Sequence, residues 1–99
     1  MIKSIIERHA KRGTSLLSPL RQVRIEAMRH PGYITSESLY STENPNIIIV
    51  ISTWSSLSEW KAWEKSEPRK RLYKQIEPLL VEEPRTRTYR PMTPQKPDQ

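Results

Sequence analysis

The run Ile47-Ile48-Ile49-Val50-Ile51 constrains this chain more than any other stretch: five β-branched residues stand in a row. Such a run favours a strand. A strand that is apolar at every position must bury both of its faces, whereas a sheet covered by helices on one side shows apolar–polar alternation. With 99 residues there is material for one domain and one core. No further chain is left to cover the second face, so a second subunit is the expected cover.

The remaining periodicities supply the other elements. Ile2–Arg8 puts Ile2, Ser4 and Ile6 on one side and Lys3, Ile5 and Glu7 on the other, as a strand does. Thr14–His30 carries Leu16, Leu20, Val23 and Ala27 as an apolar stripe flanked by Leu17 and Met28, the pattern of an amphipathic helix. Pro19 restricts its start: either the helix begins at Thr14 with a kink, or Ser18 caps it and Pro19 is its first residue. Pro31-Gly32 stops it. Tyr33–Tyr40 reads as a strand with Ile34, Ser36 and Ser38 on one face and Tyr33, Thr35, Glu37 and Leu39 on the other. A turn at Asn44-Pro45-Asn46 joins it to Ile47–Trp54 as an antiparallel hairpin. Ser56-Leu57-Ser58-Glu59 fits a capping box and starts a helix with Leu57, Trp60 and Trp63 on one stripe. Pro68 breaks that helix, and Ser66 is placed to cap a second segment, Glu67–Glu77, with Leu72, Ile76 and then Leu79/Leu80 on its apolar side. Glu82–Arg90 suits a last edge strand, limited by Pro84.

The order strand, helix, strand, strand, helix, strand predicts an α+β fold of the ferredoxin-like βαββαβ type. It is a four-stranded antiparallel sheet with the helices on one face. This domain should span residues 1–90, and the proline-rich residues 91–99 should form a flexible tail.

Composition removes several kinds of chemistry. There is no cysteine, hence no disulfide frame, thiolate nucleophile or cysteine zinc site. Asp98 is the only aspartate and lies in the tail, so Ser-His-Asp catalysis is excluded. The two glycines are far apart and make no phosphate loop. His9 and His30 have no partner at metal-ligand spacing and read as surface or loop-packing histidines. No apolar run is long enough to span a bilayer, and the N-terminal residues lack the pattern of a signal peptide. A soluble, cytoplasmic protein without membrane contact is expected. The net charge of +6 invites a nucleic-acid reading. Yet the basic residues alternate with glutamates, and even the densest cluster, Arg69, Lys70, Arg71 and Lys74, reads as a solvated helix face. A sheet that binds RNA needs exposed aromatics on its central strands; Ile47–Ile51 offers aliphatics, so no nucleic-acid partner is expected.

What remains is aromatic. Trp54, Trp60 and Trp63 fall within ten residues, and Tyr73 follows in the same helical region. Indole and phenol groups in an apolar setting need polar partners, which a planar ligand can supply.

The stretch His30-Pro31-Gly32-Tyr33-Ile34, then Ser36-x-Ser38-Leu39, then Ile51-Ser52-Thr53-Trp54-x-Ser56-Leu57-x-Glu59-Trp60-x-x-Trp63-x-x-Ser66 resembles the antibiotic biosynthesis monooxygenase domain family. The likeness covers nearly all of residues 2–90. It implies ferredoxin-like homodimers whose sheets face each other in a dimeric α+β barrel, which agrees with the two-faced strand. It also implies oxygen chemistry. Some members oxidise quinols or polyphenols with O2 as co-substrate and neither metal nor flavin. Others degrade haem with an Asn on the first strand, a Trp on the later helix and a His ten residues further on. Here the Trp matches Trp63, but Tyr73 stands at the His position and Glu7 at the Asn position, so haem is not expected as a cofactor.

The leading expectation is therefore a cofactor-independent monooxygenase acting on a small quinol- or polyphenol-type aromatic. Tyr73, Trp63 and Glu7 are its candidate catalytic residues, and Trp60, Arg8 and His9 its candidate substrate-binding residues. The alternative is a non-catalytic small-molecule-binding dimer of the same fold. A cavity between the second helix and the sheet, lined by Trp63 and Tyr73, separates the two; a filled core there favours the alternative.

Overall fold

The computed structural model describes residues 1–92. The elements run β1 (Ile2–His9), α1 (Leu17–Ala27), β2 (Tyr33–Tyr40), β3 (Ile47–Trp54), α2 (Leu57–Glu64), α3 (Glu67–Ile76), a 3-10 turn at Glu77–Leu79, and β4 (Arg85–Tyr89). The four strands are all antiparallel, in the order β2-β3-β1-β4. This is the ferredoxin-like arrangement. No helix among the described residues is long and apolar enough to cross a membrane. The expected tail lies outside the described residues from position 93 on.

Strand alternation divides the sheet into two faces. Ile2, Ser4, Ile6, Arg8 and Ala10 are buried on the inner face of β1 and its extension. Opposite them on β3 stand Trp54, Ser52, Val50 and Ile48. The outer face of β1 and β3 carries the pairs Lys3–Thr53, Ile5–Ile51, Glu7–Ile49 and His9–Ile47. Lys3 Nζ donates to Thr53 Oγ1 at 2.9 Å across one of these pairs. The β-branched run thus does serve two faces, Ile48 and Val50 inward and Ile47, Ile49 and Ile51 outward.

Three local expectations are corrected. In β2 the pairing steps from Tyr33–Trp54 to Thr35–Thr53, so Ile34 is the extra residue of a bulge. That moves Tyr33 to the inner side, where its hydroxyl meets Ser36 Oγ at 2.7 Å, and leaves Ile34 exposed. The first helix starts at neither Thr14 nor Ser18. Leu16 is its N-cap, with Ser15 Oγ accepting from the Leu17 amide at 3.2 Å. Pro19 falls in the first turn, where a missing N–H costs no helical bond. Finally, Arg69 is not part of a solvated face. Lys70, Arg71 and Lys74 are exposed, but Arg69 is only 8% exposed.

The broken second helix forms as its caps dictate. Ser56 Oγ accepts from the Glu59 amide at 3.2 Å, as the cap requires, and donates to Glu59 Oε1 at 3.0 Å, so the two side chains hold each other. Ser66 Oγ accepts from the Arg69 amide at 3.4 Å and starts α3. Pro68 sits in the first turn of α3. Pro84 precedes β4, which pairs only with β1 and forms the exposed edge.

Gly32 links this cap to the hairpin. Its φ is +92°, and a Cβ built there would stand 2.6 Å from the Cβ of Glu59. Gly32→Ala therefore combines a disfavoured backbone with a clash against the capping residue. It should lower stability by about 1–3 kcal/mol in urea unfolding. Gly13→Ala should lower it less, since nothing lies within 4 Å of that position.

Candidate active site

The core is in two parts. Ile2, Ile6, Ala27, Trp54, Trp60 and Trp63 form one cluster; Ala10, Leu16, Leu20, Ile48, Ile76 and Leu80 form the other. On β1 and its extension, Ile6 belongs to the first and Ala10 to the second, and the inward residue between them is Arg8. A guanidinium thus occupies the seam of the hydrophobic core, 1% exposed.

α3 supplies what surrounds it. Arg69, Tyr73 and Ile76 follow at helical spacing and turn one face of α3 toward the sheet. The Tyr73 hydroxyl accepts a very short hydrogen bond from Arg8 Nη2 and a second from Arg69 Nη2 at 2.7 Å. With both acceptor positions of the phenol oxygen used, its own hydrogen is left to donate. The Arg69 guanidinium lies 4.0 Å from the Tyr73 ring centre and 5.6 Å from that of Trp60, and its Nη1 donates to the Glu64 carbonyl at 3.2 Å. Arg8 Nε and Nη1 and Arg69 Nε, all buried, find no hydrogen-bond partner among the described residues. Burial pushes the Arg8 guanidinium below its ordinary pKa; the Tyr73 phenol opposes this and the Arg69 charge adds to it.

A cavity of about 40 Å³ lies between this cluster and the sheet. Arg8, Tyr73, Trp60 and Trp63 all line it, with Tyr33, Trp54 and the inward serines Ser36, Ser38 and Ser52. It is too small for an aromatic ring but large enough for a small polar head. Beside it, between α1 and β2, runs an apolar groove of about 310 Å³ lined by Leu16, Leu17, Leu39, Tyr40 and Ile48. Leu20, Arg24 and Ser38 line both spaces, so the groove and the cavity adjoin.

Of the residues singled out from the sequence, Tyr73, Trp63, Trp60 and Arg8 come together here. Glu7 and His9 do not. The strand period turns them to the outer face, where Glu7 opposes Ile49 and Arg85 and His9 opposes Ile47. Two neighbours were not anticipated. His30 packs on Trp63 with ring centres 4.7 Å apart, and its Nε2 is 3.7 Å from Glu26 Oε2. Arg69 was hidden in a basic cluster, although its spacing to Tyr73 and Ile76 was the signal that marks it as inward. Among the described residues no group of three or more His, Asp or Glu side chains is close enough to hold a metal ion.

Residues 9–75 match the family model described as antibiotic biosynthesis monooxygenase, which is well over half of the chain. The chain belongs to the antibiotic biosynthesis monooxygenase family. No curated protein matches it in sequence. Solved structures share the fold of this family member at low identity. A putative antibiotic biosynthesis monooxygenase from Nitrosomonas europaea superposes with a TM-score of 0.83 at 14% identity, covering 94% of this chain and 100% of that one. Another, from Bordetella bronchiseptica, gives 0.83 at 17% identity, with 93% and 97% covered. SnoaB from Streptomyces nogalater, described as a cofactor-independent oxygenase and solved as a mutant, gives 0.79 at 12% identity, with 96% and 98% covered.

Proposed function

We propose that this family member is a cofactor-independent monooxygenase that oxidises a quinol- or polyphenol-type aromatic with O2. The observation that carries the reading is the cavity itself: indole walls, the Tyr73 phenol with a hydrogen to give, and a buried guanidinium, beside an apolar groove of about 310 Å³. The description of SnoaB supports the absence of a cofactor.

The chemistry balances without an added reductant. A hydroquinone and O2 contain the atoms and electrons of a hydroxyquinone and one water. The ring lies in the groove with a hydroxyl reaching the cavity. Cationic surroundings favour loss of that hydroxyl proton to water as the ligand enters. The ionised ring passes an electron to O2, and the two radicals join through a new carbon–oxygen bond. The peroxide then takes up a proton; its O–O bond breaks, water leaves with one oxygen, and the ring keeps the other. Tyr73 donates its hydrogen bond to the substrate oxygen, Trp60 and Trp63 wall the cavity that takes this oxygen and exclude water from it, and the groove residues hold the ring.

Oxygen uptake by the purified protein with menadiol tests this. A rate well above that of buffer is expected, and a rate equal to the uncatalysed background would remove the reading.

The outer sheet face supports a homodimer. Ile5, Ile47, Ile49, Ile51 and Leu39 gather there with no helix of the described residues over them, and a second copy offers the same surface in return. Light scattering should give twice the mass of one chain, 11.7 kDa. Ile49→Lys, which puts a charge in the middle of the patch, should reduce it to the single mass.

A further inference from the structure

We infer that the seam between the two core clusters is an anion site, built to take the ligand's polar head as a planar oxyanion on Arg8. This deepens the proposed function and rests on its placement of the ligand in the groove and cavity.

Two guanidiniums are buried side by side, Arg8 at 1% and Arg69 at 8% exposure, and among the described residues neither makes an ion pair. Their shared partner is a phenol, whose oxygen compensates one hydrogen-bond donor of each and offers no full countercharge. Arg8 Nε and Nη1 remain buried without acceptors among the described residues, and so does Arg69 Nε. A core that held these groups for stability alone would be improved by replacing them with apolar side chains of similar volume. A ligand that brings two coplanar oxygens can span one edge of the Arg8 guanidinium, taking Nη1 or Nε together with the second N–H of Nη2, the other being given to Tyr73. The cavity of about 40 Å³ beside Arg8 accepts such a head, and the groove of about 310 Å³ takes the apolar body behind it. Arg24, at the junction of the two, adds a further positive charge along the entry.

A planar oxyanion on an aromatic body has two sources: a carboxylate, or an ionised hydroxyl with its neighbouring carbonyl. The test uses unreactive probes, so it reads binding and not oxygen chemistry. Binding of 2-naphthoate, its neutral isostere 2-naphthamide, and ionised 2-hydroxy-1,4-naphthoquinone is measured by calorimetry. Both anions should bind at least about tenfold more tightly than the amide. If only one does, that one is the source. Arg8→Met should bring anion and amide within about twofold of each other, while the melting temperature of the ligand-free protein stays at or above that of the parent. Arg69→Met, which keeps Arg8, should retain part of the preference. Equal binding of the anions and the amide by the parent protein would overturn the inference, as would a preference that survives in Arg8→Met. Oxygen uptake with menadiol is recorded separately, so loss of turnover alone leaves the anion site standing, and loss of anion preference alone leaves turnover standing.

Discussion

Trp54→Ala should lower the stability of the domain by about 3–5 kcal/mol, read from the urea midpoint at constant slope. Total stabilities of such domains are about 5–15 kcal/mol, so the variant stands near the limit of folding. Trp54 is fully buried at the end of β3. Its ring stacks on Trp63 with centres 6.3 Å apart, meets Trp60 at 5.9 Å, and takes the edge of Tyr33 at 5.6 Å. Its indole N–H donates to Ser52 Oγ at 3.0 Å, which removes the penalty of burying that group. An alanine leaves all three rings without their common neighbour and opens a void next to the cavity. Trp54→Phe keeps an aromatic body and loses the hydrogen bond, and it should be the milder change. Equal losses for the two variants would mean that the ring contacts matter less than the N–H.

Tyr73→Phe should reduce turnover by about a hundredfold or more, the usual cost of removing one hydrogen-bond donor to a developing charge. The effect should fall mainly on kcat, because the ring and its contact with the Arg69 guanidinium remain. The same change removes the oxygen that accepts from both arginines, so the melting temperature has to be read beside the rate. A variant that stays folded and turns over at the parent rate would exclude the Tyr73 hydroxyl from the chemistry. A drop confined to KM would give it a binding role instead.

Much of this arrangement was legible in the residues because local rules and tertiary packing agree. The capping box at Ser56, the second cap at Ser66 and the alternation in β1 each specify an element without reference to the rest of the chain. The β-branched run Ile47–Ile51 specifies a strand with apolar side chains on both faces for the same reason. Errors arose where a single residue shifts a period. The bulge at Ile34 reverses the facing of Tyr33, and no propensity marks a bulge in a polar strand such as Tyr33–Tyr40. Arg69 shows a second kind of failure. Charge within a basic cluster suggests solvent, and only the i,i+4 relation to Tyr73 shows that this arginine faces the core. Glu7 and His9 flank Arg8 in sequence, so proximity along the chain drew all three together. The strand period, already evident in Ile2, Ser4 and Ile6, sends them to the other side of the sheet.

The central claim is that this cavity places one oxygen atom from O2 on an aromatic substrate without help from a cofactor. Turnover of menadiol under isotopically heavy O2, followed by mass spectrometry of the product, tests it most directly. The account predicts one heavy oxygen in each quinone formed and the other in water. Product free of heavy oxygen, with the O2 consumed recovered as hydrogen peroxide, would contradict it.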